Sequence, residues 1–392
     1  MLGLWFMKKL LGIIALGLLL SGNALSKHKK TVQMFKDYNY GSDGSENYQK
    51  LETKLQDSKL SKLVEKKLKN RDKTGLVNYV LFENGKIVVD QSNYNEEIIK
   101  NNGLLRSNSM GKSLVSYVIG HGICKGYIDN VNVKLSDWEI LNDTLYANNT
   151  LLQVLNMTAG DHNFVGEKKY GQFKDSSDGA VFGKGNNTIQ KTSIAQNMNK
   201  WFRGTKKKKE NSPYNYSALA THIAINYLIS KFENAKEYEK FITVIFRDHV
   251  GVKDRVSFLK TSWSSADFNE GNSRFTFFAT SHDYLRIANM IIKDFNSKSC
   301  IGNYLRTLYD NRVNKNHDGY KATHSGAYTR QYGGQFHMSY VGLKNRVIFA
   351  IDGAGGQQIV MDMENGRVVL VNSVDQHYDW KKLVYDVIKK IN

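Results

Sequence analysis

The stretch SNSMGKSLVSYVIGHG, residues 107–122, can be interpreted in two ways. The triplet Gly-Lys-Ser at 111–113 matches the end of a phosphate-binding loop, whereas Ser109 and Lys112 form a Ser-x-x-Lys pair, a serine nucleophile with an adjacent base. A phosphate-binding loop needs a glycine five positions before Gly111, because that glycine opens the loop around the phosphates, and Arg106 stands there. We therefore interpret the stretch as a Ser-x-x-Lys motif.

The apolar residues of this stretch predict a helix that begins near Ser109. A separation of three residues places Ser109 and Lys112 on one helical face, where the amine can accept the proton of the hydroxyl. The helix N-terminus also offers the backbone N–H of Ser109 to a developing oxyanion. The residues that recur at helical spacing are Met110, Leu114, Val115, Val118 and Ile119.

The N-terminal 26 residues predict export. Lys8 and Lys9 precede an apolar run at 10–20, which the small residues of SGNALS follow. That order is typical of a secretory signal peptide, and the run is short for a membrane span. We expect a bacterial periplasmic or secreted protein with no integral span after signal cleavage; an uncleaved anchor is the alternative.

Charge and cysteine content limit the partners. The net charge of +18 favours anionic partners such as cell-wall polymers. The basic residues are spread along the chain, and the run Lys206–Lys209 has no interleaved aromatics. We therefore do not expect nucleic acid as a partner. The two cysteines, Cys124 and Cys300, are far apart in sequence, and we expect free buried thiols rather than a disulfide. The chain lacks the compact His motifs of metalloenzymes, so we predict no metal and no organic cofactor.

The order of predicted elements indicates an α+β fold. Two β-rich runs at 76–91 meet at Asn84-Gly85, a hairpin signal that recurs at Asn365-Gly366. The middle, about 130–300, is mainly helix and loop. We expect one antiparallel sheet formed from both chain ends, flanked by helices, with the helical region inserted. The expected segments are a signal peptide at 1–26, a polar extension at 27–75 with a helix at 51–68, a main domain at 76–392 and a final helix at 379–391.

Two segments together resemble a known family. The Ser109 segment and TLLQVLNMTAGD at 150–161 look like the nucleophile segment and the following helix of serine β-lactamase-related, penicillin-binding-protein-like hydrolases. Ser-x-x-Lys also occurs at Ser26 and Ser257, without such context. The resemblance runs from about Val77 to the C-terminus. It implies a β-lactamase/transpeptidase-like fold, with Ser109 as nucleophile and Lys112 as base.

The resemblance also implies a catalytic tyrosine. The family has a Tyr-x-Asn or Tyr-Ser motif before a helix, and NSPYNYSALATHIAINYLIS at 211–230 places the tyrosine at Tyr216, with Tyr214 as the fallback. Literal Tyr-x-Asn matches at Tyr146 and Tyr309 fall out of order in the chain.

The family's third motif has two candidates. GAGGQ at 353–357 resembles the glycine-rich form found in the 6-aminohexanoate-oligomer hydrolase and esterase branch; Gly355, Gly356 and Gln357 would contact the substrate, and Gln357 would supply the second oxyanion N–H. HSG at 324–326 is the alternative, with His324 as its first residue.

The resemblance therefore implies a serine hydrolase that cleaves a small amide or ester, with the cell wall as one candidate source, through an acyl-enzyme on Ser109. Ala218 and Ala354 stand where many β-lactamases carry an amide clamp and a cation, which favours esters or linear amides over β-lactams. Arg330 is a candidate replacement for the cation. The alternatives are a D,D-peptidase or β-lactamase, and a non-catalytic or weakly catalytic homologue that binds the cell wall.

Overall fold

Pairing between the two ends of the chain builds the main sheet. The computed structural model describes residues 39–161, 193–206, 212–260, 267–315, 326–343 and 345–390. Apart from Asn39, these residues belong to one compact unit, Tyr40–Asn392. The sheet has nine strands, in the spatial order β2 (Glu52–Thr53), β4 (Lys86–Ser92), β3 (Leu76–Glu83), β13 (Val368–Ser373), β12 (Gln357–Asp362), β11 (Ile348–Gly353), β10 (Phe336–Tyr340), β9 (Thr329–Gly333) and β8 (Val313–Asn314).

The predicted hairpins are present, and β3 and β13 join them. Asn84 and Gly85 both have positive φ between β3 and β4, the conformation that a two-residue hairpin turn requires. Residues 363–367, which contain Asn365-Gly366, connect β12 to β13. The antiparallel pairing of β3 with β13 places Val80 opposite Leu370. The sheet is therefore formed from both chain ends, as the sequence predicts.

A second sheet was not predicted. Four strands, β1 (Asn39–Ser42), β6 (Val256–Lys260), β7 (Ser273–Ala279) and β5 (Leu105–Arg106), form it in that order. Strands β6 and β7 lie inside the region that the sequence predicts to be helix and loop. Their short runs, VSFLK and SRFTFFA, have β-branched and aromatic residues, but no Asn-Gly or Asp-Gly dipeptide lies between them.

The helices surround the main sheet. The first helix begins at Lys59 rather than near Leu51, because Ser58 and Ser61 form a capping box. Among the described residues the α-helices are α1 (Lys59–Lys69), α2 (Arg71–Thr74), α3 (Glu96–Lys100), α4 (Gly111–Cys124), α5 (Leu151–Leu155), α6 (Ile194–Asn197), α7 (Ala218–Ile229), α8 (Ala235–Thr243), α9 (Ser281–Asn296), α10 (Cys300–Asp310) and α11 (Asp386–Lys389), with π-helical turns at Met198–Phe202, Val244–Val250 and Lys381–Tyr385.

The main sheet is buried on both faces. Alternate residues of β3 point to opposite sides, so Val80 belongs to the larger apolar cluster, whereas Tyr79 and Leu81 belong to a smaller one under α1 and the C-terminal helical turns. In α4, every residue from Gly111 to Gly122 is buried, so this helix runs through the core rather than along its edge. Within the described ranges, no helix combines the length and apolar character needed to cross a bilayer.

The two cysteines form a disulfide, so the expectation of free thiols is wrong. Cys124 is the last residue of α4 and Cys300 is the first of α10, and their Cα atoms lie 5.7 Å apart. The sequence separation of 176 residues gave no indication of this proximity. The close packing of α4 on α10 produces it, since an added Cβ at Gly120 would lie 2.4 Å from the ring of Tyr304.

We expect reduction of this disulfide to destabilise the protein. A cross-link that closes a long loop restricts the unfolded chain, and its loss typically costs about 2–5 kcal/mol of unfolding free energy. Urea denaturation with and without dithiothreitol measures the difference. The double variant Cys124→Ser/Cys300→Ser is the control and should not respond to dithiothreitol. Two titratable thiols in the unreduced, denatured wild type would contradict the pairing.

Candidate active site

The structure brings Ser109 and Lys112 into direct contact. Ser109 lies in a 3-10 turn, Asn108–Met110, that leads directly into α4, and Lys112 lies in the first turn of that helix. The Nζ of Lys112 donates a hydrogen bond of 2.9 Å to the Oγ of Ser109. Lys112 is 1% exposed, whereas Ser109 is only partly buried and so can meet a ligand. A hydroxyl beside a buried amine is the arrangement that nucleophilic catalysis requires.

The turn that carries Ser109 is fixed to strand β7. The N–H of Ser107 donates to the carbonyl of Phe277 at 2.8 Å, and the N–H of Phe277 donates to the Oγ of Ser107 at the same distance. An added Cβ at Gly111 would lie 1.8 Å from the carbonyl oxygen of Phe275, so only glycine fits at this position. The unpredicted second sheet therefore positions the predicted nucleophile.

Two aromatic rings flank the amine of Lys112. Its Nζ lies 3.9 Å from the ring centroid of Phe275 and 4.5 Å from that of Tyr216. Tyr214, the fallback, packs its ring 5.1 Å from that of Tyr332. The structure therefore brings the preferred tyrosine to Lys112, while Phe275 was missed because its strand was not predicted.

The MTAGD segment holds the tyrosine in place. Met157, whose φ is +56°, accepts a 2.9 Å hydrogen bond at its carbonyl from the N–H of Asn215. Ser217 caps α7 by accepting from the N–H of Ala220, and its hydroxyl donates to the buried carboxylate of Asp161. The residues before and after Tyr216 are thus both tied to one segment.

The tyrosines of the two literal Tyr-x-Asn matches, and the serine of the other Ser-x-x-Lys match in the described residues, have other surroundings. The hydroxyl of Tyr146 donates to Asp161 at 2.9 Å, so this fully buried tyrosine supports the same segment. The half-buried Tyr309 stacks on Phe349, with ring centroids 6.0 Å apart. Ser257 lies in β6 opposite Phe278, in an extended strand rather than at a helix start.

A buried histidine lies behind this site and was not predicted. The ring of His222 in α7 stacks on that of Phe275 at 4.8 Å. Burial lowers the pKa of His222 well below its usual range, and the positive charges of Arg274 and Lys112 lower it further. His222 is therefore neutral at physiological pH. A sequence pattern does not reveal it, because the histidine lies in the middle of a fully buried helix and belongs to no recognisable motif.

The glycine-rich hairpin lies against the turn that carries Ser109. Asn108 has φ +46° and donates from Nδ2 to the carbonyl of Ala354 at 2.8 Å. An added Cβ at Gly353 would lie 2.7 Å from the carbonyl oxygen of Ser107. The loop that joins β11 to β12 is therefore in contact with the turn that carries Ser109.

The conformation of this hairpin requires glycine. Gly355 and Gly356 have φ of +87° and +81°, and their carbonyls accept hydrogen bonds from the hydroxyls of Ser373 and Tyr378. Gln357 follows as the first residue of β12 and is buried. The alternative third motif begins at His324, which lies outside the described residues.

Ala218 stands at the position of the amide clamp, and Arg330 is the candidate replacement for the missing cation. Ala218 is fully buried at the start of α7. Strand alternation places Arg330 on the same face of β9 as Tyr332, whose ring lies 6.4 Å from that of Tyr216.

No family model matches this sequence, and no curated protein matches it significantly. Solved structures do match the fold. One is described as a 6-aminohexanoate-dimer hydrolase from Bacillus anthracis, with a TM-score of 0.62 and 13% identity over 89% of this chain and 90% of that one. A class C β-lactamase from Rhodobacter sphaeroides has a TM-score of 0.53 and 12% identity over 84% and 99% of the two chains. EstCE1, a hydrolase with promiscuous acyltransferase activity, has a TM-score of 0.53 and 10% identity over 83% and 96%.

These three neighbours are hydrolases of one architecture, and each is matched over nearly its whole length. At such low identity the likeness concerns the fold, and it confirms the fold class that the Ser109 and MTAGD segments imply. The chain has the serine β-lactamase/transpeptidase-like fold.

Proposed function

We propose that this protein is a serine hydrolase that cleaves an amide or ester bond through an acyl-enzyme on Ser109. The observation that carries the proposal is the 2.9 Å contact between the Oγ of Ser109 and the buried Nζ of Lys112. The hydrolases that share the fold support the same reaction type.

Each side chain has a defined role in the proposed reaction. The Oγ of Ser109 attacks the substrate carbonyl while its proton moves to Lys112, so the neutral amine is the reactive form. The backbone N–H groups of Ser109 and Gln357 stabilise the oxyanion. When the tetrahedral intermediate collapses, the proton passes to the leaving amine or alcohol through Tyr216. Water then attacks the acyl-enzyme, gives up a proton to the same pair, and releases the acid and free Ser109.

We also propose that the protein acts outside the cytoplasm. The N-terminal sequence has the pattern of a signal peptide. The disulfide between Cys124 and Cys300 supports export, because disulfides persist in oxidising compartments and are rare in the bacterial cytosol. The substrate is then a small molecule encountered in the periplasm or medium, including fragments of the cell wall.

We expect a fluorophosphonate probe to label wild-type protein on Ser109, because the probe reacts with activated serine hydroxyls. Ser109→Ala should abolish labelling. Ser257→Ala is the matched control, since Ser257 carries the same Ser-x-x-Lys spacing but lies in a strand, and labelling should persist. Intact-protein mass spectrometry measures the adduct. Equal labelling of the Ser109→Ala variant would refute the nucleophile assignment, and no labelling of folded wild type would favour the binding homologue.

We expect Tyr216→Phe to lower kcat/KM for an ester substrate by about 10²- to 10⁴-fold, the usual contribution of a general acid–base group. Removal of one hydroxyl leaves the ring against Lys112, so the fold should be retained. Tyr214→Phe is the control, because that ring packs against Tyr332, and its kcat/KM should stay close to wild type. The reverse order of the two variants would move the role to Tyr214.

We expect a p-nitrophenyl ester to be a better substrate than nitrocefin. A β-lactam carboxylate and amide are normally held by an amide clamp and a cation, whereas Ala218 is buried and Ala354 has no polar side chain. Each lost charge-assisted hydrogen bond costs about 1.5–3 kcal/mol, or about 10- to 100-fold in kcat/KM. Steady-state kinetics on both substrates tests this. Efficient nitrocefin turnover that Arg330→Ala abolishes would show that Arg330 supplies the cation.

A further inference from the structure

The end of α4 opposite to Ser109 carries a cluster of possible metal ligands. His121 lies in the last turn of α4, His249 in the π-helical turn Val244–Val250, and Asp294 in α9. One ligand atom from each residue lies within 4.8 Å of the other two. The three residues are far apart in sequence, which is why no metal motif was found there.

Two of the ligand atoms already lie at metal-site separations. The Nε2 of His249 lies 3.1 Å from Oδ1 and 3.0 Å from Oδ2 of Asp294. Tetrahedral Zn²⁺ with metal–ligand distances of about 2.0–2.2 Å places neighbouring ligand atoms about 3.3 Å apart. His121 would have to move by about 1–1.5 Å to complete that geometry, a displacement within reach of a side-chain rotation.

The Nε2 of His121 lacks a protein partner. Among the described residues it is a buried nitrogen without a hydrogen bond, in a side chain that is only 9% exposed. Leaving such a polar atom unsatisfied costs about 1–3 kcal/mol. A bound metal ion would satisfy it, since neutral imidazole is a common zinc ligand.

Asp294 has the outer support typical of a ligating carboxylate. The hydroxyl of the fully buried Tyr117, one turn before His121 in α4, donates to Oδ2 of Asp294 at 2.5 Å. Metal-bound carboxylates are usually held by such hydrogen bonds, which fix their orientation. Oδ1 lies 3.1 Å from the Nε2 of His249, so an ion that replaces this contact could bind both atoms.

We propose that His121, His249 and Asp294 bind one Zn²⁺ ion, with water in the fourth position. Two imidazoles and a carboxylate suit zinc among the common divalent ions, whereas Ca²⁺ and Mg²⁺ prefer oxygen-only sites. The side chain of His249 is 37% exposed, so the ion can reach the site from solvent.

The proposed ion stabilises the fold and takes no part in hydrolysis. His121 follows Ser109 by 12 residues, which is about 18 Å along a helix, too far for contact with the reacting atoms. At His121, the ion would tie α4 to the π-helical turn and to α9. Three residues later, the disulfide at Cys124 ties α4 to α10. Zinc binding should therefore be retained in Ser109→Ala, which separates this proposal from the proposed hydrolase activity.

The competing interpretation is a simple His–Asp ion pair. The chain contains such a pair elsewhere, between Nε2 of His282 and Oδ2 of Asp90 at 2.8 Å, and that pair is not part of a three-ligand cluster among the described residues. His282→Ala is therefore a matched control for His249→Ala, because both remove a partly exposed histidine from an aspartate.

The test uses untagged, disulfide-intact protein that has been stripped with EDTA. Titration calorimetry with ZnCl₂ should give one ion per wild-type chain, and Co²⁺ should give the visible absorption of a tetrahedral site. At zinc 100-fold above Kd, we expect Tm to rise by about 3 °C or more. His249→Ala and His121→Leu should weaken binding by more than about 100-fold, since even outer partners contribute about 10- to 100-fold. His282→Ala should bind like wild type.

The variants remain informative about folding. His249→Ala removes a hydrogen-bond partner of the buried Asp294, so its Tm in EDTA should lie below that of wild type, and the decisive result is the loss of the zinc-dependent rise. His121→Leu removes an unsatisfied buried nitrogen and should be at least as stable as wild type in EDTA. If wild type binds no zinc at a free concentration of about 100 μM, the proposal is overturned. Equal affinity in wild type and His249→Ala would overturn it as well.

Discussion

The enclosure of α4 within the core constrains most of the structure around it. A helix buried on every side must bring neighbouring backbones close, and Gly111 is the residue that allows β7 to approach. Any side chain at Gly111 would push Phe275 away from Lys112, so the packing of the helix and the geometry of the site are one constraint.

The same enclosure makes an unpaired polar group costly, and the hydroxyls and the amine in the first half of α4 have partners. The hydroxyl of Ser113 donates to the carbonyl of Gln335 at 2.6 Å, and that of Ser116 pairs with the hydroxyl of Tyr304 at 2.9 Å. Lys112 is the most costly of these groups to bury, and its partners are Ser109 and two aromatic faces. The serines therefore differ in role: Ser113 and Ser116 of α4 form hydrogen bonds inside the core, whereas Ser109, in the turn before the helix, is partly exposed.

The sequence predicted features that local patterns encode. The Asn-Gly dipeptides specify turns through their own backbone preference, and the Ser-x-x-Lys spacing specifies one helical face. The second sheet was missed because β6 and β7 are separated by residues 261–272 rather than by the two residues of a tight hairpin turn. The disulfide and the cluster around Asp294 were missed because they depend on how α4, α9 and α10 pack, and no local spacing reports that packing.

The positions of the supporting residues explain why the MTAGD segment accompanies the nucleophile motif. A tyrosine in an extended segment before a helix has few restraints of its own, so its placement at Lys112 must come from its neighbours. Met157 holds Asn215 on one side, and Asp161 holds Ser217 on the other. Asp161 is buried and also accepts from Tyr146, which fixes the carboxylate itself. The segment thus contributes position rather than a reacting group, and a change at Asp161 would act on Tyr216 through Ser217 without touching the substrate.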